Sequence, residues 1–205
     1  MDGGDEVLGP GPFEQEPGGA GALLAGLLGA LSITGEIRSG TIRPTLLVTP
    51  RRGLVIAAKA VTALAAGFVA GVISAGAAAG AGSAAFASRG LTIQLGAGDY
   101  AQLILGGGAA AAMWALIGLG LGAVIRAQVP AIVALFAWLL FVENIIGGDL
   151  PSVNRFAPGA LALALAGQQR TGILHTPAVA AFLLAFYAAL AVAAGRTAMT
   201  RRDVG

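Results

Sequence analysis

An all-helical, polytopic membrane bundle is the fold class this sequence predicts, and three observations carry that prediction. Charged residues make up 11% of the 205 positions and hydrophobic residues 57%, whereas a soluble domain carries about 25% charged residues. The mean hydropathy is +0.84. The apolar residues fall in long runs that do not alternate with polar ones, which argues against a β-barrel. Helix is then the way left for the backbone to satisfy its own hydrogen bonds in hydrocarbon. It holds despite 33 glycines, each costing about 1 kcal/mol relative to alanine in a soluble helix.

The chain opens with an acidic, Gly/Pro-rich segment, residues 1–18, with no basic stretch ahead of an apolar core. It is expected to be a flexible extracytoplasmic segment and not a cleaved signal peptide. Residues 19–205 are expected to form the transmembrane domain. Crossing roughly 30 Å of hydrocarbon takes about 20 apolar residues, and five runs qualify: Gly19 to Thr34, Leu54 to Ala79, Ala101 to Ile125, Ala127 to Ile146 and Pro177 to Gly195. The second is the clearest, since no charge occurs between Lys59 and Arg89. The first is short and interrupted by glycine. Between the fourth and fifth, the apolar run Ala160 to Ala166 is too short to cross. Flanked by Pro158 and Gln168, it reads as a re-entrant or interfacial helix on the outer face, or as an ordinary loop with a buried turn.

Basic residues orient such a chain, because cytoplasmic loops are enriched in Lys and Arg. Arg38, Arg43, Arg51, Arg52, Lys59, Arg126, Arg196, Arg201 and Arg202 fall on one side of a five-span topology, and Arg89, Arg155 and Arg170 on the other. Eight of the ten acids lie on that poorer side. The expectation is a multi-pass protein of the plasma membrane with its N-terminus outside and its C-terminus in the cytoplasm. Lys59 falls inside a nominal span, where its stem can snorkel to the interface.

Several chemistries are excluded or disfavoured by residue type. There is no cysteine, hence no disulfide or thiolate chemistry. A net charge of +2 gives no basis for nucleic acid as a partner. No G-x-x-x-x-G-K-[ST] loop is present, so ATP is not expected to be bound here in that way. Gly118 to Ala123, "GLGLGA", matches a dinucleotide fingerprint formally, yet it lies in an apolar run and reads as helix packing. Gly67/Gly71, Gly76/Gly80 and Gly118/Gly122 are pairs that allow close helix approach. Glu143 ends an apolar run; it reads either as part of a path or outer gate, or as an interfacial acid marking where the helix leaves the membrane. Trp138 reads as packing or interfacial belt, and His175 as a loop residue.

The segment between the first two runs has more pattern than a basic loop requires. Ser39 and Gly40 can end a helix, Arg43-Pro44 pushes the backbone off the helical path, and Thr49-Pro50 can start the next helix. Between them Ile42, Leu46 and Leu47 share a face at helical spacing. This predicts a short amphipathic helix along the cytoplasmic surface, although a solvated loop on anionic headgroups has the same charge.

The segment "TGEIRSGTIRPTLLVTPRRGLVIAAKAV" resembles the first cytoplasmic loop of ABC-2 type permeases, the membrane subunits of bacterial ABC exporters. Glu36, Arg38, Gly40, Thr41, Ile42, Leu46, Thr49, Pro50 and Arg52 carry the match, followed by Lys59 in "AAK". Downstream, "GLGLGAVIRAQVPAIVALFAWLLFVENIIG" is similar to the family's fourth and fifth helices, "NRFAPGALALALAG" to its outer re-entrant segment and "RRDV" to its usual ending. The resemblance implies a coupling helix that docks on a separate ATPase subunit holding ATP and Mg. Glu36, Arg38, Gly40 and Thr41 would form its elbow and Ile42 to Arg52 its docking surface, with Arg43, Leu46, Leu47, Thr49, Pro50, Arg51 and Arg52 included. It also implies a homodimer, or a heterodimer with another permease, and no enzymatic activity or bound cofactor of the chain's own. The family's usual six spans begin with a cytoplasmic segment and a helix that have no counterpart here, so residues 1–18 align with its first outer loop; a late start or a shortened paralogue both fit. The expected function is an ATP-driven export permease. The alternatives are an ATP-independent secondary transporter or channel, and a non-transporting membrane anchor or immunity subunit.

Overall fold

A computed structural model describes residues 17–39, 52–90, 96–143, 145, 150–168 and 174–201. Every element among them is helical: α1 Pro17–Ser39, α2 Arg52–Ser88, α3 Ala97–Ile125, α4 Gln128–Ala137, α5 Pro151–Asn154, α6 Pro158–Leu165 and α7 Pro177–Arg201. The last turns of α4 continue as a π-helix, Trp138–Val142. Among the described residues, three stretches are long and apolar enough to cross a membrane, Gly53–Ser88, Ala97–Ile125 and Pro177–Met199. The expected first span, Gly19 to Thr34, lies within α1, whereas only a shorter apolar helix, Gln128–Val142, falls within the expected fourth, Ala127 to Ile146. At about 1.5 Å per residue, the 37 residues of α2 reach well beyond a bilayer core. Its charge-free run therefore continues as helix past the expected end at Ala79.

Directions follow from which residues meet. Gly26 lies against Gly118 and Ala30 against Gly122, so α1 and α3 are parallel. Gly120 meets Ala191 and Ala123 meets Gly195, which makes α7 parallel to α3. By contrast Gly67 meets Ala115, Gly71 meets Gly108 and Ser83 bonds Tyr100, so α2 runs the other way. Arg38 and Gly26 face Gln128 and Leu135, and α4 is antiparallel to α1.

α3 is the centre of this arrangement: α1, α2 and α7 each pack chiefly against it, and α4 and α6 fill the gaps between. The reason lies in its side chains. Gly106, Gly108, Gly118, Gly120 and Gly122 are buried among Ala110, Ala111, Ala112, Ala115 and Ala123, so neighbouring backbones come into direct contact with it. A Cβ at Gly118 would fall on the Gly26 carbonyl, and one at Gly29 on that of Ala115. Two of the three glycine pairs picked out from the sequence, Gly67/Gly71 and Gly118/Gly122, are helix contacts of this kind. The third, Gly76/Gly80, has nothing within 4 Å of either Cβ position. Trp114, with 1% exposure, fills the space beside Gly26 and Leu135, joined by Leu161 and Leu184.

The ends of α3 are set locally. Asp99 Oδ2 accepts the Gly96 N–H at 2.8 Å, placing a carboxylate in the first turn. At the other end Arg126 takes φ 59°, the left-handed conformation, while its N–H closes the helix onto Gly122 O at 2.8 Å. Its guanidinium then donates to Ala198 O at 3.0 Å, linking the turn to α7. These two roles explain why a non-glycine residue keeps that backbone.

Replacing Gly29 or Gly118 by Ala is expected to destabilise the detergent-solubilised protein by about 1–3 kcal/mol, the range for overpacking. The same change at Gly80 should leave the unfolding midpoint unchanged or raise it. Thermal and denaturant unfolding followed by circular dichroism would check the contrast, and equal losses at all three would contradict this packing.

Candidate functional site

Five helix termini meet at one end of the bundle, the ends of α1, α3 and α7 and the starts of α2 and α4, and several basic residues meet there too. Glu36 sits in the last turn of α1, and Lys59 two turns into α2. Lys59 Nζ donates to the Glu36 Oε1 and, at 3.2 Å, to the Ser32 carbonyl oxygen. Arg38 Nη1 donates to Gln128 Oε1 at 3.3 Å, joining the ends of α1 and α4. Arg126 holds α7, and the Arg196 guanidinium lies over Gly53 at the start of α2. Arg38, in the last turn of α1, and Arg126, at the C-cap of α3, act on helix ends in the sense the backbone dipole favours.

Of the twelve residues expected to couple the chain to an ATPase, the structure places Glu36 and Arg38 in this cluster. Arg52 is the first residue of α2, with its side chain outside the described residues. Gly40, Thr41, Ile42, Arg43, Leu46, Leu47, Thr49, Pro50 and Arg51 lie outside them as well. The stems on either side of that segment, α1 and α2, are joined by the Glu36–Lys59 pair. Sequence reasoning gave Lys59 only a snorkelling role. The missed signal was its position: Glu36 is the one acid at the start of an otherwise basic segment, and Lys59, the single lysine of the sequence, follows it at the start of a long apolar run.

The far end is built around Glu143. Its Oε1 accepts the indole N–H of Trp138 at 2.9 Å and the backbone N–H of Gly159 at 2.9 Å. Trp138 and Glu143 stand five residues apart across the π-helical turn, whose wider spacing brings the two side chains to one side. Gly159 is the second residue of α6, behind Pro158, where the free amides of a helix start attract an acid. Glu143 thus fastens the short helix α6 to the end of α4. A Cβ at Gly159 would collide with Glu143 Oε2, so the contact depends on glycine there. His175 is a loop residue, as expected, and its ring lies tilted against that of Phe156, with the centroids 4.8 Å apart. Arg155 lies over the same phenyl ring, and Tyr187 Oη donates to the Phe156 carbonyl at 3.1 Å.

A cavity of about 260 Å³ opens in this half of the bundle, between α1, α2, α3 and α6. Its walls are small or aliphatic, Gly71, Ala75, Leu103 and Ala162 among them, with Ser74 and Gln168 as the polar exceptions. Among the described residues, no three His, Asp or Glu side chains are placed to hold a metal ion. The chain matches no protein-family model, no curated protein and no solved structure in comparison with them.

Glu143→Ala should release α6, raising amide hydrogen exchange over residues 158–165 by about tenfold or more, the scale of a lost charged hydrogen bond. Gly159→Ala should reproduce the effect by displacing the carboxylate, and Glu143→Gln, which keeps an acceptor, should show less of it. Exchange followed by mass spectrometry, with Trp138 emission as a second readout, checks all three.

Proposed function

We propose that this chain is the transmembrane permease subunit of an ATP-driven ABC-2 type exporter and works with a separate nucleotide-binding subunit. The observation that carries the reading is the segment Glu36 to Lys59, where the residues resembling the family's coupling loop run between two helices. Its support is the placement of that segment: its stems emerge at the end of the bundle that gathers Arg38, Lys59, Arg126 and Arg196. In this reading that end faces the cytoplasm of a plasma membrane, and five spans leave the C-terminus on the same side.

Ile42, Leu46 and Leu47 form an apolar face that fills a groove on the ATPase, while Arg43, Arg51 and Arg52 pair with acids at its rim. ATP and Mg are held by that partner. Two permease chains, alike or related, enclose the path across the lipid bilayer. Nucleotide drives the cycle only through unequal affinity for two conformations, and the docking helix carries that difference to α1 and α2. At the outer end, α6 held by Glu143 forms the re-entrant element, and its release from Glu143 opens the outer gate.

Two measurements test this. The tagged chain should co-purify with a P-loop ATPase subunit, and Leu46→Asp or the paired Arg51→Glu, Arg52→Glu changes should reduce recovery by about tenfold or more, as loss of a buried anchor does. Undiminished association would sink the docking role. The chain has no cysteine, so single cysteines report sidedness cleanly: Ser88→Cys should react with an impermeant maleimide in intact cells and Ser39→Cys only after lysis.

A further inference from the structure

α1 and α2 each pack chiefly on α3 and only lightly on each other. Among the described residues, Lys59 makes a direct polar tie between them through its contacts with Glu36 and with the Ser32 carbonyl. A lysine that merely snorkels sends its ammonium to water. Here the Lys59 side chain is 17% exposed and the ammonium turns back across the helix pair, onto an acid whose own side chain is 38% exposed. Both groups belong to stems of the same segment, Glu36 three residues before the end of α1 and Lys59 seven residues after the start of α2.

We propose that Glu36–Lys59 is a clamp that joins the two stems of the 40–51 segment so that they move as one body. Lys59 is then a positioning residue for ATP coupling, a role that rests on reading the segment as a docking element. The physical argument is one of leverage. Without the clamp, a push on the segment can spread the stems apart, because each is held separately by α3. With it, displacement of the segment is shared by α1 and α2. Through α1 it also reaches α4, because Arg38 binds Gln128. The pair suits this use because it sits at the edge of the apolar region. There a charge pair is stronger than one in open water, yet its groups are not so buried that desolvation outweighs the attraction.

Spin labels at Ser39→Cys and Leu54→Cys in the full chain, in phospholipid nanodiscs, measure the stem separation directly. A single narrow distance distribution is expected. Glu36→Gln or Lys59→Met should raise the population of separated stems about tenfold, the scale of one charged hydrogen bond, and the exchange Glu36→Lys with Lys59→Glu should restore the narrow form. Unchanged distributions in both single variants overturn the clamp, and so does failure of a folded charge exchange to restore it. In the complex with the ATPase subunit, Lys59→Met should lower the ATP-driven change in label separation more than it lowers association. Equal losses of both would make Lys59 part of the docking face and overturn the positioning role. If the unaltered chain binds no ATPase, the docking reading fails by itself and the nanodisc distances still decide the clamp.

Discussion

Everything in this bundle depends on how closely backbones can approach α3. In hydrocarbon, apolar side chains gain little by leaving lipid for one another, so helices associate through van der Waals contact and polar ties. α3 supplies the first by presenting hydrogen atoms or methyl groups on almost every side. Gly118 admits the Gly26 backbone, Gly106 that of Leu165, and Gly120 that of Ala191. Three neighbours therefore touch one helix at once, which a helix of leucines could not allow. Large residues are correspondingly few in the interior among the described residues, Trp114 being the largest of those fully buried.

Large apolar residues instead point outward. Val61, Val69 and Ile73 of α2, and Phe182, Phe186 and Leu190 of α7, are exposed. In water such faces would be a liability; in a bilayer they are ordinary contact with the solvent. The inversion of size between inside and outside is what packing-driven association requires.

Polar groups at the two ends of the bundle hold connections between helices. At the basic end, Lys59 joins α1 to α2, Arg38 joins α1 to α4, and Arg126 joins the α3–α4 turn to α7. At the other, Glu143 joins the end of α4 to α6, and Ser83 with Tyr100 joins α2 to α3. Charges that would cost several kcal/mol unpaired in hydrocarbon thus satisfy helix termini and set where each chain segment enters or leaves the bundle. The two polar clusters also differ in what they hold: one ties the helices on either side of residues 40–51, the other fixes α6 beside the cavity.

The sequence by itself determined the helical membrane class and the approximate course of its apolar runs, because length and composition are local properties that lipid reads directly. It also marked the end of α1 at Ser39 and the helical setting of "GLGLGA", since turn residues and apolar runs act over a few positions. Only the tertiary structure decided which glycines matter. Gly76/Gly80 and Gly118/Gly122 have the same spacing, and what separates them is whether another backbone arrives. Likewise the sequence showed Glu143 at the end of a run but not its bond to Gly159, 16 positions away, and Lys59 within a run but not its reach to Glu36. Those pairings depend on helix direction and rotation about α3. Such quantities arise from the summed close contacts of the whole bundle, and no single segment carries them.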